Sequence, residues 1–263
     1  MAADADRLRE LLAAVADGGR LDGEPTFYAV VGGHCYGWAD AASDVDVRGF
    51  HVADGLRYAL LDRPAERVAV NQDGTTSGFE RWADVDLVSY ELRQFGELVA
   101  ASNFNAIEAV FAAEPVLNER PAAIRSLRER IETVLPMDLP ARYRGMAREN
   151  VAVARRDSAE RAAAKHWLYA LRGALAAVHV IEREAVLADV RTLSERVLGD
   201  ADLAETLIAA KATGEGSLDP GLAERADDRV GALLDRTDAA EPAAKTAVEP
   251  AVDDWMRSVR GWT

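Results

Sequence analysis

The chain has 263 residues, 49% of them hydrophobic and 29% charged, which supplies a sizeable core and excludes global disorder. One cysteine excludes a disulfide framework and multi-cysteine zinc or iron–sulfur sites, and four scattered histidines argue against a histidine cluster. A net charge of −14 excludes a basic surface over the whole molecule, so a nucleic acid would have to meet a local patch.

Composition also bears on location and environment. The N-terminal segment lacks the charged-then-apolar pattern of a signal peptide, and no apolar run reaches the ~18 residues of a membrane helix, so we expect a cytoplasmic protein without membrane contact. Lysine is rare, and most of the cationic residues are arginine. Such a composition fits high-GC coding and equally a high-salt cytoplasm, in which dense carboxylates keep a protein hydrated while salt screens their repulsion.

The first 120 residues predict a mixture of helices and strands. Asp4 and the pair Gly18-Gly19 bound a first amphipathic helix. A short apolar run that ends at Gly32-Gly33 predicts a buried strand entering a tight turn, and a later helix is expected to start near Glu91. The predicted strands are residues 27–31, 44–52 and 85–90.

After Pro121 the strand-like runs end, and alanine, arginine, glutamate and leucine at helical spacing predict helices only. The predicted helices are residues 121–134, 140–156, 158–184, 186–199, 201–212, 220–235 and 243–259. We therefore expect an α+β fold with two domains. Residues 1–120 would carry a small mixed sheet flanked by helices, and residues 121–263 would be all helical.

The chemically informative segment joins the first two predicted strands. The Gly32-Gly33 turn lets the backbone approach a ligand and present N–H groups to a phosphate. Asp44 and Asp46 follow at i and i+2, on one face of a strand and about 7 Å apart at Cα. Two carboxylates that close repel unless a cation lies between them, and oxygen ligands favour Mg²⁺ or Mn²⁺ over Zn²⁺. An ordinary turn before an acidic strand edge is the alternative in an aspartate-rich chain.

This segment resembles the signature of the DNA polymerase β-like nucleotidyltransferase superfamily, in which Gly-Gly, about ten residues and Asp-x-Asp follow one another. Further segments resemble one branch, the predicted nucleotidyltransferases associated with RNA repair. These segments are Tyr36-Gly37, Ser43-Asp44, Arg48-Gly49, residues 86–95 and residues 102–111. The chain departs from that branch at Gln94, where lysine is common, and at Phe104, where proline is common. Neither position is a proposed metal ligand.

The resemblance implies a third carboxylate at Asp86, and Asp84 is the alternative because it precedes Asp86 by two residues. It also implies that all three aspartates hold metal and take part in catalysis. Arg48 lies on the face of Asp46, where it could neutralise a phosphate, hold a ligand carboxylate or form a structural salt bridge. Ser43 is a candidate nucleotide contact, although a serine before a strand often completes a turn.

A polar stripe lies beside the apolar seam of the predicted helix 158–184, at Lys165, Tyr169, Arg172 and His179. The resemblance implies that Lys165 and Arg172 neutralise the triphosphate and that Tyr169 lies near the base or sugar. A cationic helix face paired with Glu160 or Glu182 is the alternative. Five further arginines could form a polyanion-facing patch or a solvated face balanced by nearby acids, namely Arg142, Arg144, Arg148, Arg155 and Arg156.

Together the motifs and the resemblance imply transfer of a nucleoside monophosphate from an NTP, ATP among them, to an acceptor hydroxyl with release of pyrophosphate. Two Mg²⁺ or Mn²⁺ ions would serve as cofactors. An RNA end is the expected acceptor. A protein side chain, as in nucleotidyltransferases of toxin–antitoxin type, and a non-catalytic nucleotide sensor are the alternatives. The sequence does not specify the base or the oligomeric state.

Overall fold

The sheet is the element that positions the candidate site. The computed structural model describes residues 4–72, 74–133, 138–156, 163–213, 218–239 and 248–262. Its strands in these ranges are β1 (Gly23–Val31), β2 (Val45–Ala53), β3 (Arg67–Val70), β4 (Val85–Glu91) and β5 (Pro115–Asn118). They form one sheet in the order β3-β4-β2-β1-β5, in which β2 and β4 are parallel and all other neighbours are antiparallel.

The helices surround this sheet or follow it in the chain. The first group is α1 (Ala5–Asp17), α2 (Gly32–Tyr36), α3 (Leu92–Ala100), α4 (Phe104–Phe111) and α5 (Pro121–Thr133). The second group is α6 (Leu139–Arg156), α7 (Ala163–Arg183), α8 (Val190–Leu198), α9 (Asp202–Thr213), α10 (Pro220–Asp238) and α11 (Glu249–Arg260). The predicted α+β class is therefore confirmed. The short elements β3, β5 and α4 were not anticipated from the sequence.

Helix α1 forms as predicted. The Asp4 side chain accepts hydrogen bonds from the backbone N–H groups of Asp6 and Arg7 and so caps the helix. Its leucines and a valine at helical spacing are buried against Tyr28, Val47 and Leu87 of the sheet. This apolar face fixes α1 on one side of β1, β2 and β4.

An aromatic cluster covers the other face of the same strands. Phe50 of β2 follows Val47 by an odd number of residues, so the two side chains point to opposite faces. The Phe50 ring lies 4.9 Å from that of Phe95 on α3 and 5.6 Å from that of Trp255 on α11. The indole N–H of Trp255 donates to the carbonyl oxygen of Ala123 at 3.0 Å, so α11 also holds α5.

A buried ion pair ties α11 to the carboxyl ends of β2 and β4. Glu91 is 1% exposed, and its carboxylate lies 2.7 Å from the Arg260 guanidinium, which is 8% exposed. Arg260 also donates to the carbonyl oxygen of Ala53 at 2.7 Å. The second Glu91 oxygen accepts from the N–H of Arg93 and caps α3. The helix predicted to start near Glu91 is thereby confirmed.

The chain divides into two compact units. The first contains the described residues of Met1–Cys35, Ala39–Pro136 and Ala247–Thr263, and the second those of Tyr36–Trp38 and Met137–Thr246. This division keeps α5 and α11 with the sheet. The change in composition at Pro121 marks the point in the sequence after which the described residues form helices and no strands.

The second unit is built around α7, against which α6, α8, α9 and α10 pack. The predicted start of α7 at 158 and the residues 243–247 predicted for α11 lie outside the described residues. Helix α8 begins at Val190 and not at 186, because Asp189 caps it by accepting from the N–H of Thr192 at 2.8 Å. None of the helices in the described part of the chain is long and apolar enough to cross a membrane.

Candidate active site

Two carboxylates meet on the parallel strands at the centre of the sheet. Strand register makes Asp46 of β2 the direct partner of Asp86 of β4. Direct partners on neighbouring strands project from the same face, so the Asp46 and Asp86 side chains lie side by side. Phe50, four residues beyond Asp46, points to this same face. The Asp46 side chain is 33% exposed and that of Asp86 is 22% exposed, so both reach the edge of solvent.

Arg48 neutralises both carboxylates. Its Nη2 donates to Asp46 Oδ1 at 3.1 Å and to Asp86 Oδ2 at 3.0 Å. Its Nη1 donates to the backbone carbonyl oxygens of Asp86 at 2.7 Å and Val47 at 3.0 Å. The guanidinium is thus anchored to the main chain and orients the carboxylates. These ion pairs fit both the predicted role of holding ligand carboxylates and the alternative of a structural salt bridge.

One oxygen of this site lacks a hydrogen-bond donor. Asp86 Oδ1 is buried and has no hydrogen-bond partner among the described residues. A buried carboxylate oxygen is costly when it is unsatisfied, and a hard divalent cation is a partner that suits it. The donor set therefore fits Mg²⁺ or Mn²⁺. Within the described ranges, no three His, Cys, Asp or Glu side chains already stand together as a metal cluster.

The other two aspartates of the motifs immediately precede the two strands. Asp44 precedes β2, is exposed, and its side chain forms no hydrogen bond or ion pair with a described residue. Asp84 precedes β4 and accepts from Arg7 Nη1 at 2.7 Å. This hydrogen bond with Arg7 lowers the pKa of Asp84 below its ordinary value. The structure therefore places Asp86, and not Asp84, beside Asp46.

The Gly32-Gly33 turn lies against the Asp46 carboxylate. Gly32 has φ of +64° and opens α2. A Cβ at Gly32 would lie 2.1 Å from Asp46 Oδ2. Only glycine therefore allows both the left-handed backbone and this close approach. The main chain of the turn is held next to the site, with the Gly33 carbonyl oxygen accepting from Ala39 N–H at 3.1 Å.

Ser43 forms part of a turn in this structure. Its Oγ accepts from the backbone N–H of Asp40 and donates to Asp40 Oδ1, both at 3.0 Å. These bonds match the expectation that a serine before a strand completes a turn. A direct contact of Ser43 with a nucleotide stays a prediction.

The three predicted nucleotide contacts of α7 lie in the second unit, in different environments. Lys165 is exposed. The Tyr169 ring lies edge-on to Tyr36 at 6.1 Å and to Trp38 at 5.1 Å. Arg172 is fully buried, with its guanidinium carbon 3.7 Å from the centre of the Tyr36 ring. No sequence pattern groups Trp38 with this cluster, because Trp38 is remote from α7 along the chain.

The structure shows which acidic residues pair with some of the cationic residues of α6 and α10. Glu182 pairs with Arg236 and not with Lys165, and Glu160 lies outside the described residues. Three arginines of α6 pair with aspartates of α10, as expected for a solvated face balanced by acids. These pairs are Arg144–Asp238 at 3.2 Å, Arg148–Asp238 at 2.6 Å and Arg155–Asp227 at 2.7 Å.

Comparison with known proteins assigns the chain to a family. No curated protein and no solved structure shows significant similarity to the chain. A family model described as "RlaP: RNA repair pathway DNA polymerase beta family" matches residues 11–258, a span that includes every site residue named above. The predicted resemblance is thus confirmed, and the chain belongs to the RNA repair pathway DNA polymerase beta family, a DNA polymerase beta-like family of nucleotidyltransferases.

Proposed function

We propose that the protein transfers a nucleoside monophosphate from an NTP to the terminal hydroxyl of an RNA and releases pyrophosphate, with the help of divalent metal ions. The observation that carries this proposal is the pair Asp46–Asp86, whose carboxylates both accept from the same Arg48 nitrogen. Asp86 Oδ1 is buried, and no described residue donates to it. The family match supports the reaction class.

Asp46 and Asp86 are the residues that would hold a first ion, and Asp44 would join them for a second. When bound, Mg²⁺ or Mn²⁺ offsets negative charge on the triphosphate and on the attacking oxygen. The Asp86 carboxylate would accept the proton of the acceptor hydroxyl. The hydroxyl oxygen then bonds to the α-phosphorus, the bond from that phosphorus to the bridging oxygen breaks, and pyrophosphate leaves with that oxygen.

Arg48 orients both carboxylates. Its hydrogen bonds to two backbone carbonyl oxygens keep the guanidinium in place independently of the carboxylates. The Gly32 main chain lies against the Asp46 carboxylate, and the N–H groups of Gly32-Gly33 would bind a phosphate oxygen there.

The α7 residues supply the nucleotide-binding part of the proposal. Lys165 is exposed and would supply positive charge to the β- and γ-phosphates. Tyr169 presents a ring beside Tyr36 and Trp38 for the base or sugar. Arg172 would contribute to nucleotide binding indirectly, because its cation–π contact holds the Tyr36 ring in place.

Transfer of label from each of four α-labelled NTPs tests the proposal. The full-length protein is incubated with Mg²⁺ or Mn²⁺, at low and at molar KCl, with RNA or with cell-extract protein as acceptor. Label on RNA that disappears in Asp46→Asn and Asp86→Asn but not in Asp84→Asn supports the proposal. Asp84 is a matched control because it is an aspartate of the same strand region that binds Arg7 instead.

Two other outcomes would replace the proposal. Label on protein and none on RNA would favour the toxin–antitoxin type of transfer. NTP binding without transfer to any acceptor would favour a nucleotide sensor.

A further inference from the structure

A polar cavity lies in the helical unit, near the carboxyl end of α7. Its volume is ≈ 490 Å³. It is lined by His179, Arg183, Ala185 and Arg196. None of these residues takes part in the carboxylate site, which belongs to the other unit.

His179 is buried in this cavity without a hydrogen-bond partner in the described part of the chain. Only 2% of the residue is exposed, and neither Nδ1 nor Nε2 has a partner among the described residues. An imidazole has a polar atom at both nitrogens, and leaving both unsatisfied in the interior is costly. Among the described residues, no group therefore donates a hydrogen bond to the His179 ring or accepts one from it.

Two arginines at the same cavity have no anionic partner. Arg183 on α7 and Arg196 on α8 are both exposed, and neither forms an ion pair or side-chain hydrogen bond with a described residue. Other arginines of these helices are paired, as Arg191 is with Glu205 at 2.6 Å. The nearest acidic residue of α7, Glu182, pairs with Arg236.

We propose that this cavity binds the phosphate group of an organic phosphate, with Arg183 and Arg196 at the phosphate oxygens and His179 completing the contacts. Guanidinium groups bind phosphate through two parallel N–H bonds, and the buried His179 imidazole adds a further hydrogen-bonding group. A volume of ≈ 490 Å³ lies in the range of small-ligand pockets and leaves room for the organic part. The inference does not depend on nucleotidyl transfer.

The His179 ring signals in NMR spectra of the full-length protein test this inference directly. The spectra are recorded on the Asp46→Asn variant in the presence of EDTA. These conditions prevent metal-dependent binding at the carboxylate site from contributing to the signal changes. AMP serves as an organic phosphate, inorganic phosphate as the bare anion, adenosine as the organic part alone, and KCl as a control of equal ionic strength. The signals are assigned from their loss in His179→Gln.

We expect AMP to shift the His179 signals at lower concentration than inorganic phosphate, and adenosine and KCl to leave them unchanged. Arg196→Gln should weaken AMP binding roughly 10- to 100-fold, the effect of losing a charged hydrogen bond. Arg229→Gln is the matched control, an exposed arginine of α10 with no partner among the described residues, and should leave binding unchanged. Absence of a shift with either phosphate, or equal weakening by both arginine variants, would overturn the inference.

Discussion

Asp46 and Asp86 are direct partners in the register of β2 and β4, and both accept a hydrogen bond from the same nitrogen of Arg48. Parallel pairing brings together two carboxylates that lie 40 positions apart in the sequence. The shared guanidinium offsets their repulsion. Each carboxylate is therefore held in a fixed direction before any ligand arrives.

Asp86→Asn should abolish most of the transferase activity and leave the fold intact. The variant keeps the shape of the side chain but loses the charge and the proton-accepting oxygen, and loss of a general base costs on the order of 10²–10⁴-fold in rate. The measurement is the rate of label transfer, with circular dichroism as the check on folding. Asp84→Asn should keep near-normal rate and lose at most about 1 kcal/mol of stability, because its ion pair with Arg7 is solvent-exposed. Equal loss of rate in both variants would contradict the assignment of Asp86.

Gly32→Ala should reduce activity more than its effect on stability accounts for. The new Cβ would lie 2.1 Å from Asp46 Oδ2 and would displace that carboxylate. Gly19→Ala is matched for backbone strain, since φ is +65° there and a Cβ would meet nothing within 4 Å. It should cost about 1–2 kcal/mol of stability with unchanged activity. The two variants are compared by urea unfolding and by label transfer, and similar activities would refute a close packing of the turn on Asp46.

Breaking the buried pair Glu91–Arg260 should strongly destabilise the sheet unit. Arg260→Met leaves the Glu91 carboxylate buried without its cation, and removal of one partner of a buried pair costs about 3–5 kcal/mol. The exposed pair Arg93–Glu97 provides the comparison, and Arg93→Met should cost about 0.3–0.5 kcal/mol. Unfolding in urea measures both. A double variant Glu91→Gln/Arg260→Met that recovers part of the loss would show that the uncompensated charge is responsible.

Stability should fall as the pH falls below about 6.5. Burial lowers the pKa of the His51 and His179 imidazoles in the folded protein, although the Glu91 and Asp22 carboxylates oppose this at His51. The unfolded chain therefore binds more protons than the folded protein in this range. The stabilisation is complete above the ordinary histidine pKa of ~6.5 and is lost as the pH falls toward the lower folded-state values.

Urea unfolding in phosphate-free buffer at pH 7.5 and 5.5 measures this pH dependence. Each histidine contributes at most about 1.4 kcal/mol per pH unit. Asp22 and Asp84, whose pKa values are lowered by their hydrogen bonds, lose their contribution only at lower pH. His179→Leu should therefore reduce the slope in this window. An unchanged slope in that variant would show that His179 is not the titrating group.

Much of the fold follows from local patterns in the sequence. The cap at Asp4 and the spacing of apolar residues predict α1, and the sequence predicts β2 and β4 to within one residue. The strands β3 and β5 have four residues each, too few for a periodic signal. Their place at the two edges of the sheet depends on pairing with β4 and β1, which no local pattern encodes.

The site was predictable as a set of residues but not as an arrangement. Spacing alone cannot separate Asp84 from Asp86, because the difference arises from Arg7, 77 residues away in the sequence. Helical spacing likewise places Arg172 in a polar stripe. Its complete burial depends on Tyr36, which covers the guanidinium and comes from a distant segment. Long-range contacts of this kind decide which charged residues remain at the surface.

The position of α11 has a consequence for synthesis of the protein. Strands β1 to β5 leave the ribosome first, yet the Trp255 ring that covers Phe50 and Phe95 is made only after the whole helical unit. During that interval the nascent sheet carries an uncovered aromatic surface, the kind of surface that favours aggregation or chaperone binding. The sheet unit therefore completes its folding last, although its strands are translated first.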